Sequence, residues 1–141
     1  IDIIDINLIT NYETKTIYAI ENELIQVFIN LINNSKDMFI KNKINEKIIK
    51  INTFIEKEYF KIEFIDNAGG IKKELLSRIF EPYFTTKHQA QGTGIGLYMS
   101  MKIVKQHLEG DIEASNIKFK YKNREFKGAK FTIKIKNKGL L

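Results

Sequence analysis

Cysteine is absent from all 141 residues, which excludes disulfides, thiolate-bound zinc and thiol nucleophiles. A reducing compartment is expected from that choice. Proline occurs once, at Pro82, and arginine only at Arg78 and Arg124. No apolar run approaches the roughly 20 residues that span a bilayer. No signal-peptide pattern follows the first residue, Ile1. The chain is therefore expected to be a piece of a longer protein and to be cytoplasmic. An inner-membrane anchor for the parent would have to lie elsewhere.

What is abundant is lysine, which accounts for most of the net charge of +6. The lysines are dispersed and alternate with apolar residues, as in Lys130-Phe131-Thr132-Ile133-Lys134-Ile135-Lys136. Such alternation puts charge on the solvated face of a sheet. Diffuse charge with scarce arginine argues against nucleic acid, and no membrane contact is expected of this domain.

The length suits one domain over 1–141, with 1–13 expected to be the remnant of a linker from a preceding region. Thr14 to Ala19 reads as a strand and Asn22 to Asn42 as a helix. Leu24, Phe28, Leu31, Ile32, Ser35 and Phe39 share its buried face. Gln26, Asn30, Asn33, Asn34 and Asp37 fall together on the other side. Alternation predicts strands at Ile49 to Ile55 and Phe60 to Phe64. A short helix at Lys72 to Ile79 should stop before Pro82. A loop over Glu81 to Gln91 and a helix over Ile95 to Leu108 come next. Three strands complete the chain, at Asp111 to Ser115, Ile117 to Lys122 and Ala129 to Lys136. Strands in hairpins rather than βα units point to α+β, with helices on one face of a largely antiparallel sheet.

Four segments carry candidate chemistry. Asn30 and Asn34 lie one helical turn apart, and an amide oxygen is a neutral hard ligand suited to Mg²⁺; surface or capping amides are the plainer alternative. Asp66 ends an apolar strand before Asn67-Ala68-Gly69-Gly70. Ionised, it only accepts hydrogen bonds, so it would pair with the amine of adenine and repel the carbonyl of guanine. Taken alone, the segment is better explained as an ordinary turn. Gly92-Thr93-Gly94-Ile95-Gly96-Leu97 opens a helix, where bare N–H groups and the helix dipole attract phosphate; a flexible hinge competes with that reading. Between these lies Ile79-Phe80-Glu81-Pro82-Tyr83-Phe84-Thr85-Thr86-Lys87. Phe80, Tyr83 and Phe84 can anchor a loop, and Lys87 can reach a terminal phosphate or simply be solvated.

Taken together and in this order, the four segments resemble the catalytic ATP-binding domain of two-component sensor histidine kinases, from the superfamily shared with gyrase, heat-shock chaperone and mismatch-repair ATPases. The N box falls on Gln26 to Asp37 and the first glycine box on Asp66 to Gly70. The F box falls on Phe80 to Lys87 and the second glycine box on Gly92 to Leu97. The resemblance implies a Bergerat-type two-layer α/β sandwich with Mg-ATP as ligand. It makes Asn34 the metal ligand and puts Asn30, Asn34 and Lys87 at the reacting phosphate. It draws the rest of the nucleotide site from Asp37, Asp66, Ala68, Gly70, Ile71, Phe84, Thr85, Thr86, Gly92, Thr93, Gly94, Ile95, Gly96 and Leu97. Thr132 is added as a second adenine contact through water. A lid over 85–93 is expected to close on the triphosphate.

The chain departs from the family pattern at Ala68, at Ser35 where alanine is usual, at Asp37 and at Leu108. The resemblance also sets the reaction. Hydrolysing members carry a water-activating glutamate four residues before the metal-binding asparagine, and Asn30 stands there, unable to act as a base. A kinase that passes its phosphoryl group to a histidine on a separate dimerisation domain, and from there to a response regulator, is thus expected. The alternatives are a hydrolase of the same superfamily or a regulatory nucleotide-binding module. Neither His88 nor His107 resembles the acceptor, which must lie outside this chain.

Overall fold

Alternating apolar and charged residues build a five-stranded sheet in the order β1-β2-β3-β5-β4. The computed structural model describes residues 6–12, 21–84 and 95–136. The strands are β1 (Ile6–Tyr12), β2 (Lys47–Glu56), β3 (Tyr59–Asp66), β4 (Gly110–Tyr121) and β5 (Arg124–Lys136). β1 runs parallel to β2, and the other pairs are antiparallel. The two helices are α1 (Glu21–Lys41) and α2 (Gly96–Gln106). This is the α+β, mostly antiparallel arrangement that the hairpin pattern predicts.

Helix α1 packs on the sheet through Val27, Leu31, Ser35 and Phe39, all fully buried. These residues recur every four positions, the spacing of one helical face. Across from them lie Phe64 and Ile62 of β3 and Phe131 and Ile133 of β5, with Val104 of α2 closing the same cluster.

Three expectations change, and a fourth falls outside the described residues. Within the segment expected as a linker remnant, Ile6–Tyr12 forms an edge strand that pairs along β2 from Lys47 to Thr53. Its period is too short for sequence pattern alone to distinguish an edge strand from a tail. The strand expected at Thr14 to Ala19 lies outside the described residues. Lys72 to Ile79 is not a helix but a single 3₁₀ turn, Lys73–Leu75, with no buried residue of its own. Bonds from Leu75 N to Lys72 O, Arg78 N to Leu75 O and Glu81 N to Arg78 O carry the chain forward in successive tight turns. A segment this short cannot recover the cost of nucleating an α-helix. Finally, the break expected near Asn116 does not occur, and β4 runs unbroken. Its hairpin turn is Lys122-Asn123, with φ of 50° and 63°, the doubly left-handed backbone that matches strand twist.

Candidate nucleotide site

Asp66 is the best-defined feature of the site. It ends β3 on the helix-facing side and is only 2% exposed. Its Oδ2 accepts from the Ser35 hydroxyl at 2.7 Å. Its Oδ1 accepts from the backbone N–H groups of Ala68 at 3.0 Å and Ala129 at 3.2 Å. Burial pushes the carboxyl above its ordinary range, and those three hydrogen bonds pull the other way.

The backbone after Asp66 is held from several directions by asparagines. Asn67 accepts from Ile48 N at 2.8 Å and donates to Glu46 O at 2.7 Å, clamping the loop to the start of β2. Asn42, just past α1, donates to Ala68 O at 2.6 Å. Asn116 of β4 accepts from Ile71 N and donates to Ile71 O, each at 2.7 Å, as a paired strand would. Gly70 turns at φ 84° directly beneath Asn116, and a Cβ there would sit 2.8 Å from the asparagine oxygen. The clamping contacts of Asn42, Asn67 and Asn116 escaped the sequence reading because each reaches an element distant in the chain. Only Ser35 left a signal, as a polar side chain in an otherwise apolar helix face.

The polar stripe of α1 divides into two functions. Asn30 donates to Gly96 O at 3.2 Å and Ser100 Oγ at 3.1 Å, and its Oδ1 accepts from Gln26 at 2.9 Å. It therefore braces the first turn of α2. Asn34, half-buried one turn further on, stays out of that brace. Asp37 is half-buried and already engaged with another group. Among the described residues no three His, Asp or Glu side chains cluster to hold a metal. The Asn34 amide oxygen is a neutral hard donor.

Helix α2 begins at Gly96 after Ile95, with no side-chain cap and no acidic residue in its first turn. The positive end of its dipole lies at this start. Leu97 is half-buried against the core. Thr85, Thr86, Lys87, Gly92, Thr93 and Gly94, with the expected lid, lie outside the described residues.

In the F box, Phe80 packs edge-on to Phe131 at 6.3 Å between centroids, and the Arg78 guanidinium lies 4.8 Å above the Phe84 ring. Tyr83 is not an anchor: it is 74% exposed at φ 65°. Thr132 does not join the site either. It alternates with buried Phe131 and Ile133 and so lies on the far sheet face. There Lys130 pairs with Glu63 at 3.5 Å and Lys134 covers the Tyr59 ring at 4.0 Å. The β5 residue beside Asp66 is Ala129. His107 pairs with Glu23, tying the end of α2 to the start of α1. His88 is outside the described residues.

The family model for histidine kinase-, DNA gyrase B- and HSP90-like ATPases matches residues 19–139. The chain is similar to the two-component sensor PprA of Pseudomonas aeruginosa, at 34% identity over 116 residues, 80% of this chain and 12% of that protein. It is also similar to sporulation kinase A of Bacillus subtilis, at 34% identity over 100 residues, 70% of this chain and 16% of that protein. Its backbone superposes on the nucleotide-free catalytic domain of histidine kinase ThkA with a TM-score of 0.72 and 27% identity, covering 94% of this chain and 80% of that one. The chain thus spans only a small part of the curated relatives it matches.

Proposed function

We propose that this chain, which belongs to the family of histidine kinase-, DNA gyrase B- and HSP90-like ATPases and is the catalytic ATP-binding domain of a sensor kinase, holds Mg-ATP for transfer of its γ-phosphoryl group to a histidine. That histidine belongs to a separate dimerisation domain of the same parent, which passes the group on to a response regulator. In the transfer, the bond to the leaving ADP breaks as a phosphorus–nitrogen bond to the acceptor forms.

The observation that carries this reading is the use made of Asn30. Its amide is committed to Gly96 O, Ser100 Oγ and Gln26, so this stretch of the polar face offers no general base to activate water. The described residues instead bind and orient. Asp66 accepts from the base, the open start of α2 receives phosphate, and Asn34 offers its amide oxygen to magnesium. Bound magnesium supplies neutralisation of the phosphate charge. Catalysis by positioning and charge stabilisation is what phosphoryl transfer requires.

Incubating the chain with γ-labelled ATP, with and without a separately produced acceptor domain, tests the reading. Label should appear on the acceptor domain and not on this chain, with little free phosphate. Rapid phosphate release by the chain alone would favour a hydrolase. Tight binding with neither reaction would favour a regulatory module.

Asn34→Ala addresses the metal. Nucleotide titrations with and without Mg²⁺ should show the magnesium-dependent part of the affinity reduced by about 1–3 kcal/mol, the scale of a hydrogen bond or ligand contact to a charged group. The fold should be intact, since Asn34 is not among the buried core residues. An unchanged magnesium effect would remove Asn34 from the metal site.

A further inference from the structure

Ser35 lies on an otherwise apolar helix face. It is fully buried on α1, between fully buried Leu31 and Phe39 one turn to either side. A hydroxyl buried there is unfavourable unless it is hydrogen-bonded, and its bond goes to Asp66 Oδ2 at 2.7 Å. The other carboxylate oxygen is already supplied by two backbone N–H groups, from Ala68 and Ala129. Those donors belong to the fold itself, whatever the side chains. Ser35 is the side-chain donor that sequence can change.

Among the described residues no cation pairs with the carboxylate. The residues facing it are Ser35 from α1, Ile49 opposite in register on β2, and Ala129 from β5; none of them titrates. Lys130, the nearest basic residue along β5, is turned to the far sheet face with Glu63. Neutral hydrogen bonds alone therefore oppose the effect of burial on this group.

We propose that Ser35 is a positioning residue that holds Asp66 as a pure hydrogen-bond acceptor, and thereby strengthens the preference of the pocket for a base bearing an amine over one bearing a carbonyl. The proposal rests on the ATP reading above. With Ser35 donating to one lone pair of Oδ2, that oxygen keeps its other lone pair for the exocyclic amine of adenine. Without the serine, one of the three hydrogen bonds that oppose burial is lost and the carboxyl is pushed further up. A protonated Asp66 is itself a donor and would accommodate the guanine carbonyl, so base discrimination would erode first at low pH.

The test uses the 141-residue chain as Ser35→Ala and Ser35→Thr beside the native form. Alanine suits a helix interior, and thermal unfolding checks that each variant is folded. Dissociation constants for ADP and GDP are measured by calorimetry from pH 5.5 to 8.5, and the Asp66 carboxyl is titrated by carbon NMR without nucleotide. In Ser35→Ala the adenine preference should fall about ten-fold, the scale of one charge-assisted hydrogen bond. The loss should grow as pH falls, and the carboxyl should titrate at higher pH than in the native chain. Ser35→Thr, which keeps the hydroxyl, should restore both. If the native chain prefers ADP and Ser35→Ala shows the same preference, pH profile and carboxyl titration, the proposal fails while the ATP reading stands. If the native chain binds neither nucleotide, both fail.

Discussion

Replacing Gly128 by alanine is expected to cost the domain on the order of 3 kcal/mol or more, the upper range for forcing atoms into a packed site. A Cβ at this position would lie 1.7 Å from Asp66 O, 2.6 Å from Asp66 C and 2.9 Å from Asn67 Cα. All three are backbone atoms, so no side-chain rotation relieves the clash. β5 would have to move away from the end of β3, and the Ala129 N–H bond to Asp66 would be lost with it. The melting temperature should drop by roughly 10 °C for a domain of this size, and ATP affinity should fall even where the fold survives. Thermal unfolding and nucleotide titration of Gly128→Ala measure both. A variant with native stability would mean that β5 does not cross this close to the strand end.

The second large effect is expected from Asp66→Asn. An amide can turn either an oxygen or an amine toward the base, and it gives up the charge-assisted bond. ATP affinity should fall about ten- to hundred-fold while GTP affinity changes little, so the base preference collapses. The same variant probes stability. The native carboxyl is pushed above its ordinary 3.8 by burial, so the folded state binds protons more tightly than the unfolded chain. Stability tied to this group is therefore present below the ordinary value and is lost as pH rises through the elevated one. Denaturant unfolding across that range should show the native chain losing ground to Asp66→Asn as pH increases. The difference should be constant at pH values well above it. Equal ATP and GTP affinity in the native chain would remove Asp66 as the base reader. A stability difference that widens in favour of the native chain would mean that its hydrogen bonds outweigh its burial.

Much of the architecture was legible from local pattern. The period of α1 placed Leu31, Ser35 and Phe39 on the buried face, where they are. The alternation in Ile49 to Ile55 and Phe60 to Phe64 located β2 and β3, which pair as an antiparallel hairpin. The part of the pattern that failed did so for want of length. Lys72 to Ile79 has helix-forming residues but too little buried surface to nucleate a helix, and it settles into tight turns. The parallel pairing of β1 with β2 had no local signature, because a parallel partner is distant in the chain.

The same division runs through the site. Sequence alone determined the order of the four motifs, the helix face that carries Asn30 and Asn34, and the strand end that carries Asp66, since these follow from residue type and period. Only the tertiary structure decided how those groups are used. Asn30 braces α2 because α2 packs beside it. Thr132 faces away from Asp66 because strand alternation, once β5 is in register with β3, turns Ala129 rather than Thr132 toward it. Gly128 is obligatory because β5 passes against the backbone at the end of β3. Ser35 donates to Asp66 because the α1 face that buries it also meets that carboxylate, the one buried carboxylate among the described residues. Residue type and period are properties of neighbours along the chain, whereas a hydrogen-bond partner, a register or a close approach exists only when distant segments have been brought together.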